Sequence, residues 1–481
     1  MAFTTSQEEI LEKIIEAYQN GKRLSDLPEA TGTNPYKLYC EVLDEDGESK
    51  KAALAAMLPY VEEQCSYGVE KDFAVSSTSC TRVGSTDLHK SLPIQTRMKG
   101  CLLDDDGNVV EYLGSKSWTG NTRDGSRGQV MVEIPAHYRK TWWSGTVYHA
   151  RISELPLPGY TFIPKMYISA YEASLDRTNG KLASVVNDTA QYRGGNNNSS
   201  YDGASNTLLG RPVTQQSLTS FRSYARKRKT TTTEWNAYVH EAHLNLFWLY
   251  AIEYANFNSQ LDYNAALTSE GYRQGGLGAG VTTLDWGKWN SFNGYCPFIP
   301  CGYTDELGNG TGIVAYEMPT EYSETTVTVS VPRYRGIENP FGHIWKWTDG
   351  IHIEISATEE NGGNGLSMVY TCDDPSKFND SNDTGYRHVG NAARAQGYIQ
   401  KIIGGEYGEI IPSSIGGGST TYVGDNFYTS IPSSGTSLRV VLFGGGADHG
   451  SCAGLACAAS NDVPSSANAT FGSRLCFLPV A

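Results

Sequence analysis

The chain has 481 residues, 39% of them hydrophobic and 19% charged, which is too long for one hydrophobic core and too apolar for a disordered polypeptide. Its 52 glycines and 30 tyrosines point to a loop-rich, sheet-containing globule. The formal net charge of −14 argues against a nucleic-acid or anionic-membrane partner, because binding to phosphates is driven by Lys and Arg displacing counterions.

In chain order, the first residues Met1-Ala-Phe-Thr-Thr-Ser-Gln-Glu-Glu9 lack the basic and apolar stretches of an export signal, which predicts synthesis in the cytosol and mostly reduced thiols among the 10 cysteines. Ser6-Gln-Glu-Glu9 is a capping box ahead of Ile10, Leu11, Ile14, Ile15 and Tyr18, so an amphipathic helix is predicted there, closed by Gly21. A second helix is predicted from Ser49 to about Cys65. Residues 1–66 are thus expected to form a small helical attachment or oligomerisation region. From 67 to 154 the pattern turns to short alternating runs around turns, such as Leu102 to Tyr112 and Gly128 to Ile134, which predicts a β-rich middle domain. Leu155-Pro-Leu-Pro-Gly159 reads as the hinge into the largest region, 155–481. There a strand is predicted over Phe162 to Glu172 and a loop over 194–206. A buried helix apolar on two faces is predicted from Thr233, a strand over Thr325 to Val331, and two C-terminal strands over Leu438 to Phe443 and Ser473 to Leu478. The fold class expected is α+β. The longest apolar run, Leu246 to Ile252, is far short of a membrane span.

Several motifs lack the spacing their chemistry needs. His240-Glu-Ala-His243 is one residue short of the zinc-hydrolase pattern, which places two imidazoles on one helix face at i and i+4, so hydrogen-bonded histidines at the helix edge are expected and no metal. Asp104-Asp-Asp-Gly107 and Asp44-Glu-Asp-Gly47 have Leu102 and Val42 where a calcium loop needs its first acid, and are predicted to be turns. Arg226-Lys-Arg-Lys229 is expected to be a solvated turn. Neither a phosphate loop nor a Gly-x-Ser-x-Gly elbow occurs. Cys296/Cys301 and Cys452/Cys457 each space two thiols by five, with no cation between them to lower a thiolate pKa.

The segment 444–473 is the most informative. It contains no Lys, Glu, Gln, Met or Trp, and those are the residue types that no codon reached from AAC or AAT by changing adenines encodes; Asp, His, Cys, Ala, Ser, Thr, Asn and Phe all are.

Three stretches carry a resemblance: Arg335-Gly-Ile-Glu-Asn-Pro-Phe-Gly-His-Ile-Trp-Lys-Trp-Thr-Asp349, Leu438-Arg-Val-Val-Leu-Phe-Gly-Gly445 and Asn461 to Cys476. They resemble the C-type lectin fold shared by formylglycine-generating enzymes and the variable proteins of diversity-generating retroelements. Residues 155–481 fit that pattern. Tyr67 to Ile134, with Cys80-Thr-Arg-Val-Gly84 and Leu92-Pro-Ile-Gln95, is similar to tail-tip or receptor-binding proteins of tailed phages. The resemblance implies a C-type lectin domain preceded by the β-rich segment and the helical region, with a reverse transcriptase rewriting adenines of a template. It places the variable, ligand-binding side chains at Ala447, Asp448, His449, Cys452, Cys457, Ala459, Asn461, Asp462, Ser466, Asn468 and Thr470. Gly450, Ala453, Gly454, Leu455, Pro464 and Gly472 would be fixed, and Trp345, Trp347 and Arg474 would be scaffold. The expected function is receptor binding without catalysis, metal or cofactor. The expected partners are a protein or glycan receptor on a host cell, other phage tail proteins through the N-terminal region, and further copies of the chain. The location would be a virion tail tip, or alternatively a bacterial surface. The competing expectation is a sulfatase-modifying oxidoreductase of the formylglycine-generating type using Cys452 and Cys457.

Overall fold

The computed structural model describes residues 39–43, 49–195, 209–291, 297–320 and 322–479, with side chains described from residue 58 onward except at 290 and 291. The helix predicted over 6–21, the turn at 44–47 and most of the 194–206 loop lie outside these residues. Ser49–Ala53 is a strand paired antiparallel with Tyr39–Leu43, and the helix predicted from Ser49 is confined to Leu54–Cys65. Pairing with a neighbouring strand here overrides local propensity.

The molecule is α+β and dominated by sheet. A five-stranded antiparallel sheet runs in the order Thr161–Ile163, His137–Ser144, Val147–Ser153, Tyr67–Asp72, Thr81–Gly84. A six-stranded sheet runs Trp235–Ala237, Leu475–Phe477, Met166–Ser169, Gln129–Ile134, Lys99–Leu103, Val109–Tyr112, again with every neighbour antiparallel. Its strands come from both sides of the 154/155 junction, and Gln129–Ile134 pairs directly with Met166–Ser169. The middle and C-terminal regions therefore share a sheet and a core, and the junction is no break in packing.

The helix expected from Thr233 begins at His240, because Trp235–Ala237 is taken into that sheet beside Leu475–Phe477. It ends at Tyr254, and every residue in it except Glu241 is buried. The strand predicted over Phe162 to Glu172 is two strands in two sheets, Thr161–Ile163 and Met166–Ser169. The 102–112 hairpin and the 128–134 strand fall where expected. Arg226–Lys229 is not a solvated turn, since Arg228 is buried and its Nη1 lies 2.5 Å from Asp105 Oδ1.

The third large sheet has nine strands and is nearly closed. Trp345–Ser356 pairs with Ser367–Thr371 on one side and with Thr436–Phe443 on the other. Beyond Thr436–Phe443 come Ala458–Ser460, Asn426–Thr429, Gly397–Gly404 and Glu409–Ile415. The two ends curl together, with Ala393 N donating to Pro412 O at 2.7 Å. One sheet face packs Phe427, Phe443 and Ala458 into the main core; the other packs Leu442, Cys457, Ala459, Trp345 and Trp347 into a second.

Buried polar groups lock this frame. Arg474, fully buried, donates to Ser169 O at 3.0 Å, to Asn339 O at 2.6 Å and to Glu338 O, tying the last strand to two distant segments. Trp347 Nε1 donates to Gln216 O at 3.1 Å. Glu172 takes His343 Nδ1–H at 2.6 Å and sits 2.9 Å from Lys346 Nζ. Burial pushes the Glu172 carboxyl up, but Lys346 and His343 outweigh it and hold the group at about 2.

Candidate surface recognition site

The strands expected to bracket the 444–473 segment belong to different sheets, so the segment crosses from one to the other. On the way it does not stay outside: Ala458–Ser460 is an interior strand, antiparallel to Thr436–Phe443 and parallel to Asn426–Thr429. This divides the segment into two surface loops with a buried stitch between them.

The first loop carries Asp448, His449 and Cys452, all half-buried. His449 Nδ1 accepts from Gly446 N at 3.2 Å, and its ring stands edge-on to Trp345 at 4.9 Å and to Tyr428 at 5.5 Å. Asp448 Oδ1 lies 3.1 Å from the same nitrogen and has no hydrogen-bond donor among the described residues. Cys452 Sγ donates to Tyr398 Oη at 3.4 Å, and Tyr398 Oη lies 3.0 Å from Ser451 Oγ. Burial, and after it the Cys452 contact, raise the Tyr398 phenol. The loop backbone is anchored by Gly450 N to Thr282 O at 2.6 Å and by Gln260 Nε2 to Gly450 O at 2.9 Å.

The second loop carries Asn461 and Asn468, both exposed, and Asp462 and Ser466, half-buried. Arg439 Nη1 donates to Asn461 O at 2.6 Å. Partial burial raises the Asp462 carboxyl, while the hydrogen bond from Ser466 and the charge of Arg439 oppose it. Asn468 closes the loop, its Oδ1 accepting from Thr470 N at 3.0 Å and Thr470 Oγ1 at 3.1 Å.

Four of the eleven expected recognition residues are not on the surface. Ala447, Cys457, Ala459 and Thr470 are buried, at 0%, 0%, 6% and 7% exposure. Ala447 packs beside Val281 and Leu284; Cys457 and Ala459 face the second core, alternating with Ala458, which faces the main one; Thr470 is held by Trp345 N donating to its carbonyl at 3.0 Å. A ligand cannot reach them without opening the frame. The expected scaffold residues Trp345, Trp347 and Arg474 are buried.

Between the loops, the chain is pinned by Asp425. This carboxyl is fully buried; Ala456 N donates to Oδ2 at 2.7 Å, and Oδ1 has no donor among the described residues. Burial raises its pKa well above the ordinary carboxylate range, opposed by the backbone hydrogen bonds from Ala456 and Cys457. Gly454 adopts φ +152°, and a Cβ built on it would lie 2.1 Å from Asp425 Oδ1, so only glycine fits there.

Tyr398, Tyr428, Gln260 and Arg439 are the neighbours that sequence reasoning missed. Gln260 and Tyr398 sit on segments remote in the chain from 444–473, and a single sequence carries no signal of such long-range contact; Tyr428 and Arg439 lie on nearby strands, and nothing in the local pattern marks them as neighbours of the loops.

The motifs set aside earlier are structural. His243 Nε2–H donates to Leu455 O at 2.8 Å and its Nδ1 faces Tyr238 Oη at 3.2 Å, while His240 Nε2 is 3.1 Å from Glu409 Oε2. Both histidines are buried rather than at a helix edge, and burial lowers His243 to about 3. Asp104-Asp-Asp-Gly107 is a turn, with Gly107 N donating to Asp104 O at 3.0 Å. Cys301 is buried and donates to Glu172 O at 3.6 Å; Cys296 lies outside the described residues. Cys452 and Cys457 are free thiols, and burial, then the nearby Asp425, push Cys457 well up. Among the described residues no group of three or more His, Cys, Asp or Glu gathers around a metal position, and no helix is long and apolar enough to cross a membrane.

No model of a known protein family and no curated protein matches the chain.

Proposed function

We propose that the chain is a hypervariable receptor-binding protein, a C-type-lectin-like frame presenting diversified side chains for attachment of a phage to a bacterial host. The observation that carries this reading is the sorting of side chains within 444–473. Asp448, His449, Cys452, Asn461, Asp462, Ser466 and Asn468, each reachable from an Asn codon through its adenines, are accessible, while Gly454 and Leu455 between them are locked into the core. Exposed substitutions change stability by no more than about 0.5 kcal/mol, so many combinations can share this frame. Tyr398 and Tyr428 add a constant aromatic floor beside the first loop. Small side chains give modest affinity at one site, and several copies on one particle would raise it by avidity of about a hundredfold.

Deep sequencing of the encoding gene across a population tests this. Replacements are expected to concentrate at the seven accessible positions and to be limited to small residues at Cys457 and Ala459. A uniform spread along 155–481 would remove the reading.

The oxidoreductase reading rests on the same Cys452 and Cys457. Such chemistry needs a thiolate, and the burial that raises Cys457 works against one.

A further inference from the structure

The first loop has a neighbour that lies outside 444–473. Residues 282–284 run beside 447–450 and are tied to them by two backbone bonds, Leu284 N to Ala447 O at 2.8 Å and Gly450 N to Thr282 O at 2.6 Å. Bonds of this kind hold whatever side chains the loop carries. Directly after them the short helix Trp286–Ser291 begins, with Lys288 N donating to Asp285 Oδ1 at 2.9 Å. Tyr322 Oη accepts from Asp285 N at 2.7 Å and fixes the turn into that helix. Burial raises the Tyr322 phenol, the Asp285 hydrogen bond opposes this, and the charges of Asp285 and Asp448 add to it. Asp448 therefore faces the turn that carries the helix.

Trp286, the first residue of the helix, is 49% exposed and leaves a large indole surface in water. Its ring stands edge-on to Trp289 at 6.2 Å, and Trp289 is fully buried in the same small core as Val281, Leu284, Phe298 and Ala447. The exposed indole is thus backed by the core that also holds the start of the loop. A rigid aromatic side chain loses little freedom on binding, and Trp is enriched among the residues that dominate interface energies. The charges beside it are Asp285, exposed, and Asp448, half-buried, against Lys288, whose Nζ donates to Ser323 Oγ at 3.2 Å. These acids, with the net charge of −14, oppose an anionic glycan, whereas a protein surface can offer a cation to them and to the indole face.

We propose that Trp286 is a constant anchor of the recognition surface, packing against an aliphatic or basic side chain of a protein receptor while the variable loops beside it set which receptor is bound. This rests on the display reading above and adds to it a contact that diversification does not reach.

The test uses full-length loop variants selected on at least two kinds of bacterial cell. Trp286→Ser, at an exposed position, is expected to leave Tm nearly unchanged and to weaken binding at least about tenfold on every cell type. Trp286→Phe, which keeps an aromatic ring, should recover part of the loss. Protease treatment of the cells should abolish binding, and periodate oxidation of their glycans should not. Unchanged affinity of Trp286→Ser, or a loss confined to one cell type, would overturn the anchor and leave the display reading standing. Binding that survives protease but not periodate would overturn the protein partner. Failure of every loop variant to bind any cell would remove the display reading and the anchor with it.

Discussion

Asp425 and Gly454 show how one contact decides which positions are free to change. The folded state raises the Asp425 carboxyl, so the native chain keeps a proton there over a pH range in which the unfolded chain has released it. Between its ordinary carboxylate pKa in the unfolded chain and the raised folded value, the native state binds more protons than the unfolded one, and stability must fall as pH rises. Asp425→Asn keeps an acceptor for Ala456 N and removes this titration. Its Tm is expected to decline less between pH 4 and pH 8 than that of the parent; an equal decline in both would show that Asp425 is not the group responsible. Gly454→Ala drives a Cβ onto the same carboxyl and is expected to cost at least about 2 kcal/mol in denaturant unfolding. By contrast, Asn461→Ala, at an exposed side chain whose backbone carbonyl makes the contact to Arg439, should stay within about 0.5 kcal/mol.

The same division holds between elements. The two surface loops are held at their ends by backbone bonds, Gly444 N to Cys457 O at 2.8 Å and Val440 N to Asp462 O at 3.2 Å, and these do not depend on side-chain identity. Exchanging the side chains of Asp448, His449 and Cys452, or of Asn461, Asp462 and Ser466, for other small polar ones should therefore leave Tm nearly unchanged. Ala459→Leu, on the stitch strand between Leu442 and Tyr428, should overpack the second core and cost about 1–3 kcal/mol. Equal tolerance at both kinds of position would contradict the division. Elements with a strong local pattern were legible in the sequence: Gln129–Ile134, the hairpin after Lys99, the strand ending at Phe443. The stitch was not, because Ala458-Ala-Ser460 has no β-branched or aromatic residue and is a strand only by virtue of partners far away in the chain. The start of the long helix was misplaced for a related reason, since Trp235 to Ala237 continue its apolar pattern while pairing with the last strand. The composition of 444–473 marked it as a candidate site, but burial within it was not legible, and four of its eleven expected contact residues lie in the core.

Across the whole molecule, the frame is held by strands from regions that the Leu155-Pro-Leu-Pro-Gly159 signal had separated. Met166–Ser169 is flanked by Gln129–Ile134 on one edge and by Leu475–Phe477 on the other. A fragment covering 155–481 would expose that edge and the apolar face behind it, so it is expected to be insoluble alone and to be rescued by co-expression with the preceding region. A soluble, cooperatively unfolding fragment would show that the shared sheet is dispensable. Rigidity that spans both regions is what the display reading requires, because tips can be exchanged only if nothing beneath them moves.

The most direct test randomises Asp448, His449, Cys452, Asn461, Asp462, Ser466 and Asn468 together in the full chain, selects protease-resistant variants, and sequences those retained on different bacterial cells. Most variants should survive the protease, and each cell type should enrich its own set of residues at these seven positions. Loss of folding across the library, or enrichment indifferent to these positions, would contradict the account.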